Sequence, residues 1–153
     1  MIPKKIHYCW FGGNKKSKLI LECIKSWKRY FPDYEIIEWN EGNFDIHQCD
    51  YVEQAYKQKK WAYVSDYARM KILDLYGGIY FDTDVEVIKR FPEELRVHSF
   101  SGIEEFSKLV APGLVYGCEA GDVIVHEMVN EYEHSEFDNL RIEDIITINK
   151  RRK

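Results

Sequence analysis

The sequence predicts a layered α/β domain on a largely parallel sheet. Short apolar runs bounded by Gly and Pro alternate with segments whose apolar residues recur at helical spacing. A long amphipathic segment from Trp61 runs into Gly77-Gly78, and a short apolar strand follows at once, carrying Asp82 and Asp84 at its end. The 153 residues, 45% hydrophobic and 15% aromatic, suffice for one domain with a sizeable core.

Taken in order, Ile6 to Phe11 reads as a buried first strand, closed by the Gly12-Gly13-Asn14 loop. Ser17 caps a helix over 18–30, with Leu19, Cys23, Ile24 and Trp27 on one stripe. Pro32-Asp33 turns the chain into a second strand, Tyr34 to Trp39, rich in Ile and aromatics. A loop over 40–45 and a short helix over 50–58 follow. The central helix begins between Lys60 and Ser65. Val64, Ala68, Ile72 and Leu75 form one stripe, while Asp66, Arg69, Met70 and Leu73 lie opposite. Gly77 or Gly78 supplies the left-handed residue that stops it. Strands are expected over 79–82, 85–88, 100–103 and 114–117. A last helix over 122–134 presents Val125, Met128, Val129 and Tyr132 on one side. From Ser135 the tail is polar, with a frayed end.

The formal charge of −4 and the absence of a broad basic face exclude a nucleic-acid binder. Lys15-Lys16 and Lys150–Lys153 are local basic runs and read as solvated loops and ends. The four cysteines, Cys9, Cys23, Cys49 and Cys118, show no metal spacing and read as reduced thiols. No leader pattern or run of membrane-spanning length is visible, so a cytoplasmic protein is expected.

Asp82 and Asp84 lie two apart, so on a strand both would face one side. Their carboxylates could hold a hard divalent cation, which could hold a diphosphate. The alternative is a solvated acidic turn. Asp66 and Arg69, i,i+3 neighbours on an otherwise apolar face, could bind sugar hydroxyls and phosphate, or form a structural ion pair. Trp10, ahead of two glycines, could offer its face to a nucleobase or pack in the core. His7 reads as a packed histidine, and the other four show no metal spacing.

At these residues a known pattern is met. IPKKIHYCWFGG, then SDYAR, then LYGGIYFDTDVEV resemble, at consistent spacing over roughly residues 2–134, glycosyltransferase family 32. Its DXD-containing members include capsular-polysaccharide transferases and mannosyltransferases, and the glucosyltransferase domains of large clostridial toxins are more distantly similar. The resemblance implies a GT-A fold and retaining transfer of a hexose from a UDP- or GDP-sugar to a glycan or lipid-linked glycan. It also implies a Mn2+ or Mg2+ cofactor, a role in capsular or surface polysaccharide synthesis, and association with the inner face of the membrane. By position, Trp10 would stack on the donor base, and Asp66 and Arg69 would hold the donor sugar. Tyr80 would lie beside the donor. Asp82 would contact donor hydroxyls and, through water, the metal, and Asp84 would ligate the metal directly. The chain departs from the family at Ala111-Pro112-Gly113, where an N-T-G-like segment is common. The family also continues past residue 153, so the chain reads as one short or truncated GT-A domain spanning 1–153.

Two other readings stand beside this one. A truncated or degenerate member would bind nucleotide sugar without turnover. Ile79 to Asp84 also resembles the first motif of haloacid-dehalogenase-type phosphatases, in which the first Asp is the nucleophile. Here Glu86 replaces the usual Thr or Val, and no later Lys and acidic-pair motif follows.

Overall fold

The computed structural model describes residues 1–137. The predicted polar tail falls mostly outside them. The elements run β1 (Lys5–Cys9), α1 (Lys18–Tyr30), β2 (Glu35–Trp39), α2 (Asp50–Lys57), α3 (Trp61–Tyr76) and β3 (Gly78–Tyr80). A short 3-10 turn (Glu93–Val97) precedes β4 (Phe100–Ile103), β5 (Val110–Cys118) and α4 (Val123–Glu133). The strands form one sheet in the order β2-β1-β3-β5-β4. β1 pairs in parallel with β2 and β3, whereas β5 runs antiparallel to β3 and β4. One side of the sheet is thus parallel and the other is a hairpin.

Alternation along the strands sends side chains to two cores. Ile6, Tyr8, Ile79 and Phe81 pack with Ile24 and Trp27 of α1 on one face. Cys9, Tyr80, Tyr116 and Cys118 pack on the other face with α2, α3 and α4. α1 is capped as its sequence indicates, with Ser17 Oγ accepting from Ile20 N–H at 3.3 Å. Its stripe differs by one position. Leu19 is 67% exposed and Ile20 packs inward. Ile20, Ile24 and Trp27 hold the i, i+4, i+7 face, and Leu19 lies about 100° off it.

α3 is enclosed on two sides. Val64, Tyr67, Ala68, Met70, Ile72 and Leu73 are all buried, because the helix lies between the sheet and α2 and α4. Its ends emerge: Ala62 in the first turn is exposed, and Leu75 in the last is 54% exposed. Gly77 takes φ +64° and Gly78 φ +116°, and Gly77 N–H closes the helix on Leu73 O at 2.9 Å. That left-handed pair lets the chain turn from α3 straight into β3.

Two expectations about strands are corrected. β3 stops at Tyr80, and Asp82 to Val85 forms a turn closed by Val85 N–H on Asp82 O at 3.1 Å. The residues from Val85 to Ile88 are not a strand. β1 and β5 already flank β3, so this segment crosses α1 instead. There Trp27 Nε1–H donates to Val85 O at 2.7 Å, and Ser26 Oγ accepts from Val87 N–H at 2.9 Å. Side chains supply the partners that a ladder would have given.

β5 begins earlier than expected and includes Pro112-Gly113. Its register with β4 jumps there: Ser101 faces Tyr116, yet Gly102 faces Ala111. Pro112 has no N–H for the ladder, and the intervening residues bulge out of it.

Candidate active site

The parallel strands β1 and β3 end at the same edge of the sheet, where Trp10 and the turn from Asp82 to Asp84 emerge. α3 passes over this edge with Trp61, Ser65, Asp66 and Arg69. Together these elements enclose an open cleft of about 500 Å3 that both Trp10 and Asp84 line.

The acidic end is built on one cation. Arg69 on α3 pairs with Asp66, one turn back on the same helix. Its guanidinium carbon also lies 5.3 Å from the centroid of the Tyr80 ring. Tyr80 donates its hydroxyl to Asp82 Oδ1 at 2.9 Å, and Asp82 N–H donates to Gly113 O at 2.8 Å. Arg69 Nε is buried without a hydrogen-bond partner, an unsatisfied donor at the centre of the cluster. Asp84 is exposed at the mouth.

Burial raises the pKa of Asp82 above the ordinary carboxylate value, and Arg69 and the Tyr80 hydroxyl recover part of that shift. Asp66 shifts upward for the same reason, partly offset by Arg69. Burial raises the Tyr80 phenol well above its usual value, so it stays a neutral donor. Burial also pushes the Cys9 thiol beneath them up to about 12, which leaves it an unreactive core group. Three carboxylates against one guanidinium leave the cleft net negative.

The aromatic end differs in kind. Trp10 Nε1–H donates to Asn14 O at 2.7 Å, and the Lys16 ammonium lies 5.5 Å from the ring centroid. Gly12 takes φ +93° and packs against Trp61 so closely that a Cβ there would lie 2.5 Å from the indole. Trp10 and Trp61 are therefore both walls of the cleft. Trp10 is partly buried against the α1-side core, so it combines packing with an accessible face.

Every predicted candidate, Trp10, Asp66, Arg69, Tyr80, Asp82 and Asp84, lines this one cleft. They do not share one strand face. Asp82 and Asp84 belong to a turn, where backbone rotation separates a buried acid from an exposed one. Trp61, Asn14 and Gly113 join the site without a catalytic signature of their own. The local signals are the glycine pair at 12–13, which implies a close neighbour without naming it, and the Ala111-Pro112-Gly113 segment, which stands where the family has its N-T-G-like segment.

His7 is a structural histidine. The Trp39 indole N–H, which can only donate, points at Nδ1 from 3.0 Å. The proton therefore sits on Nε2, which donates to Gly77 O at 2.8 Å. Among the described residues no group of three or more His, Cys, Asp or Glu could hold a metal. The four cysteines are free thiols.

The family described as "Glycosyltransferase sugar-binding region containing DXD motif" matches residues 17–101, which include Asp66, Arg69, Tyr80 and both aspartates of the D-T-D turn. The chain belongs to this glycosyltransferase family. The phosphatase reading of Asp82 falls with that assignment. Among relatives, "Subversion of eukaryotic traffic protein A" of Legionella pneumophila subsp. pneumophila is 26% identical over 164 residues, covering 88% of this chain and 25% of that protein. An "Uncharacterized glycosyltransferase" of Acanthamoeba polyphaga mimivirus is 32% identical over 109 residues, covering 65% of this chain and 42% of the relative. The chain thus spans well under half the length of either curated relative. The solved "PaToxG Glycosyltransferase" matches with a TM-score of 0.64 at 21% identity, over 84% of this chain and 58% of that one. At that identity the likeness concerns the fold, the GT-A type of α/β architecture. No helix among the described residues is long and apolar enough to cross a membrane.

Proposed function

We propose that this chain is the donor-binding domain of a retaining glycosyltransferase that moves a hexose from a UDP- or GDP-sugar to a glycan or lipid-linked glycan. The reading extends to capsular or surface polysaccharide synthesis in the cytoplasm, at the inner face of the membrane. One observation carries it: a single cleft has three carboxylates around one guanidinium at one end and two indoles at the other. A nucleotide sugar has the matching polarity, with a flat base at one end and a hydroxyl-rich sugar on a diphosphate at the other.

In this reading Trp10 and Trp61 flank the base. Asp66 and Asp82 accept hydrogen bonds from donor hydroxyls, and Arg69 donates to sugar or phosphate oxygens. The residues present fit a hard divalent ion such as Mn2+ or Mg2+. Asp84 is exposed and free to ligate, Asp82 stands behind it, and the soft donor that lines the cleft, Cys9, is a thiol kept protonated by burial. Asp84 would hold the ion directly and Asp82 through water, which leaves room for diphosphate oxygens. When bound, the ion neutralises charge on the departing nucleoside diphosphate. Tyr80 holds Asp82 in place and, as a neutral phenol, does not compete for the cation.

A thermal-shift screen with UDP-, GDP- and CMP-sugars, each with and without Mn2+, tests the reading. A donor at a hundredfold excess over its dissociation constant should add about 2.7 kcal/mol of apparent stability. A Mn2+-dependent shift with one donor class supports it, and no shift with any donor overturns it. Release of nucleoside diphosphate then separates a working transferase from a domain that only binds.

A further inference from the structure

β5 runs antiparallel to β3 through the Tyr80–Tyr116 pair and so brings Gly113 against the acidic end of the cleft. A Cβ built at this position would lie 2.3 Å from Asp82 Oδ2 and 2.6 Å from Arg69 Nη1, both far inside contact distance. Gly113 has no positive φ, unlike Gly12, Gly13, Gly77, Gly78 and Gly121. An alanine is therefore permitted by the backbone here. Space, not conformation, requires the glycine. The Gly113 carbonyl also takes the Asp82 N–H at 2.8 Å, so the contact is held from both backbone and side chain. Arg69 spends its ion pair on Asp66 and only stands beside Asp82, which makes the gap at Gly113 the feature that lets the two groups approach.

We propose that Gly113 is a positioning residue for the donor sugar. Its bare Cα makes the space in which the Asp82 carboxylate and the Arg69 guanidinium sit side by side at the sugar end of the cleft. The inference rests on the donor reading given above and adds to it a residue outside the matched family segment, which ends at residue 101. A methyl group at Gly113 would wedge these two side chains apart. It would leave Asp84, which is exposed at the mouth and not among the atoms nearest that methyl group, free to hold a cation and the diphosphate.

The test compares wild type, Gly113→Ala and Gly102→Ala. Gly102 lies on the same hairpin, but the atoms nearest a Cβ there belong to the Leu114 and Val115 side chains and to neither Asp82 nor Arg69, so it reports on hairpin packing. Each protein is titrated with the donor found in the screen and with the matching free nucleoside diphosphate, both with Mn2+. Gly113→Ala should weaken sugar-nucleotide binding on the order of tenfold, the worth of a hydrogen bond to a charged group. Its binding of the free diphosphate should stay within about twofold of wild type. Gly102→Ala should leave the ratio of the two affinities unchanged. A wild type that binds no sugar nucleotide overturns the donor reading and this inference with it. A wild type that binds, with a Gly113→Ala variant that keeps the same ratio, overturns the positioning role alone. If Gly113→Ala is too unstable to titrate, its stability cost is measured again in an Asp82→Ala background. There the methyl group has lost its nearest obstacle. A clearly smaller cost, together with an Asp82→Ala affinity ratio shifted against the sugar nucleotide, supports the proposal; an equal cost or an unshifted ratio overturns it.

Discussion

Tyr80 and Asp82 are joined across the end of β3: the phenol of the last strand residue donates to Oδ1 of Asp82, in the turn that follows, at 2.9 Å. Tyr80 is rooted in the core shared with α3, while Asp82 opens on the cleft. The bond ties a buried, immobile ring to a carboxylate that would otherwise turn freely.

Tyr80→Phe keeps the ring under Arg69 and removes the hydroxyl that bonds Asp82 and also meets the Cys9 thiol. Chemical denaturation should show a loss of about 1 kcal/mol, the usual net worth of a hydrogen bond. Donor binding should weaken more than that if Asp82 loses its orientation. A variant with wild-type stability and affinity would deny the bond any role.

Asp84 and Asp82 should separate on amidation. Asp84→Asn removes a full charge from the exposed candidate ligand and is expected to abolish Mn2+-dependent binding of nucleoside diphosphate, read by calorimetry. Asp82→Asn should weaken sugar-nucleotide binding yet retain a Mn2+ response. Equal effects of the two substitutions would contradict the division of roles.

Asp66 and Arg69 form the cleft's ion pair, with side chains 35% and 12% exposed. Arg69→Met strands a half-buried carboxylate and should cost about 2–3 kcal/mol, below the range for a fully buried pair because water still reaches Asp66. Replacing both residues together should cost less than Arg69→Met alone, while sugar-nucleotide binding is still lost. A double variant that binds the intact donor normally would leave the pair a structural role only.

His7 makes the fold acid-sensitive. Burial lowers its pKa from the ordinary 6.5, against the Gly77 hydrogen bond, which favours the charged form. The unfolded chain therefore binds this proton at higher pH than the folded one. The contribution is complete above pH 6.5 and is lost as pH falls below it towards the folded pKa. The slope should be at most about 1.4 kcal/mol per pH unit. Trp39→Phe removes the donor that faces Nδ1, so it should flatten the slope in denaturation curves between pH 7.5 and 5.5. An unchanged slope in that variant would place the acid sensitivity elsewhere.

Local chemistry made much of this protein legible. The Ser17 cap and the stripe through Ile24 and Trp27 predict α1. The glycine pair after Leu75-Tyr76 predicts the end of α3, and apolar strand patterns predict the sheet, because each signal depends on residues within a turn or two of one another. The motif residues Asp66, Arg69, Asp82 and Asp84 stood out because charge on an apolar face is costly without a partner. Only the tertiary structure decided the rest. Val85–Ile88 has strand-like residues but no free strand edge to join, so α1 side chains took its backbone groups. Gly113 reaches Asp82 because β5 runs antiparallel to β3 and continues past the Tyr80–Tyr116 pair to the turn. Trp61 joins Trp10 only because Gly12 leaves room for its ring. Pairing and packing choose such contacts among residues far apart in the chain, and no local periodicity carries that information.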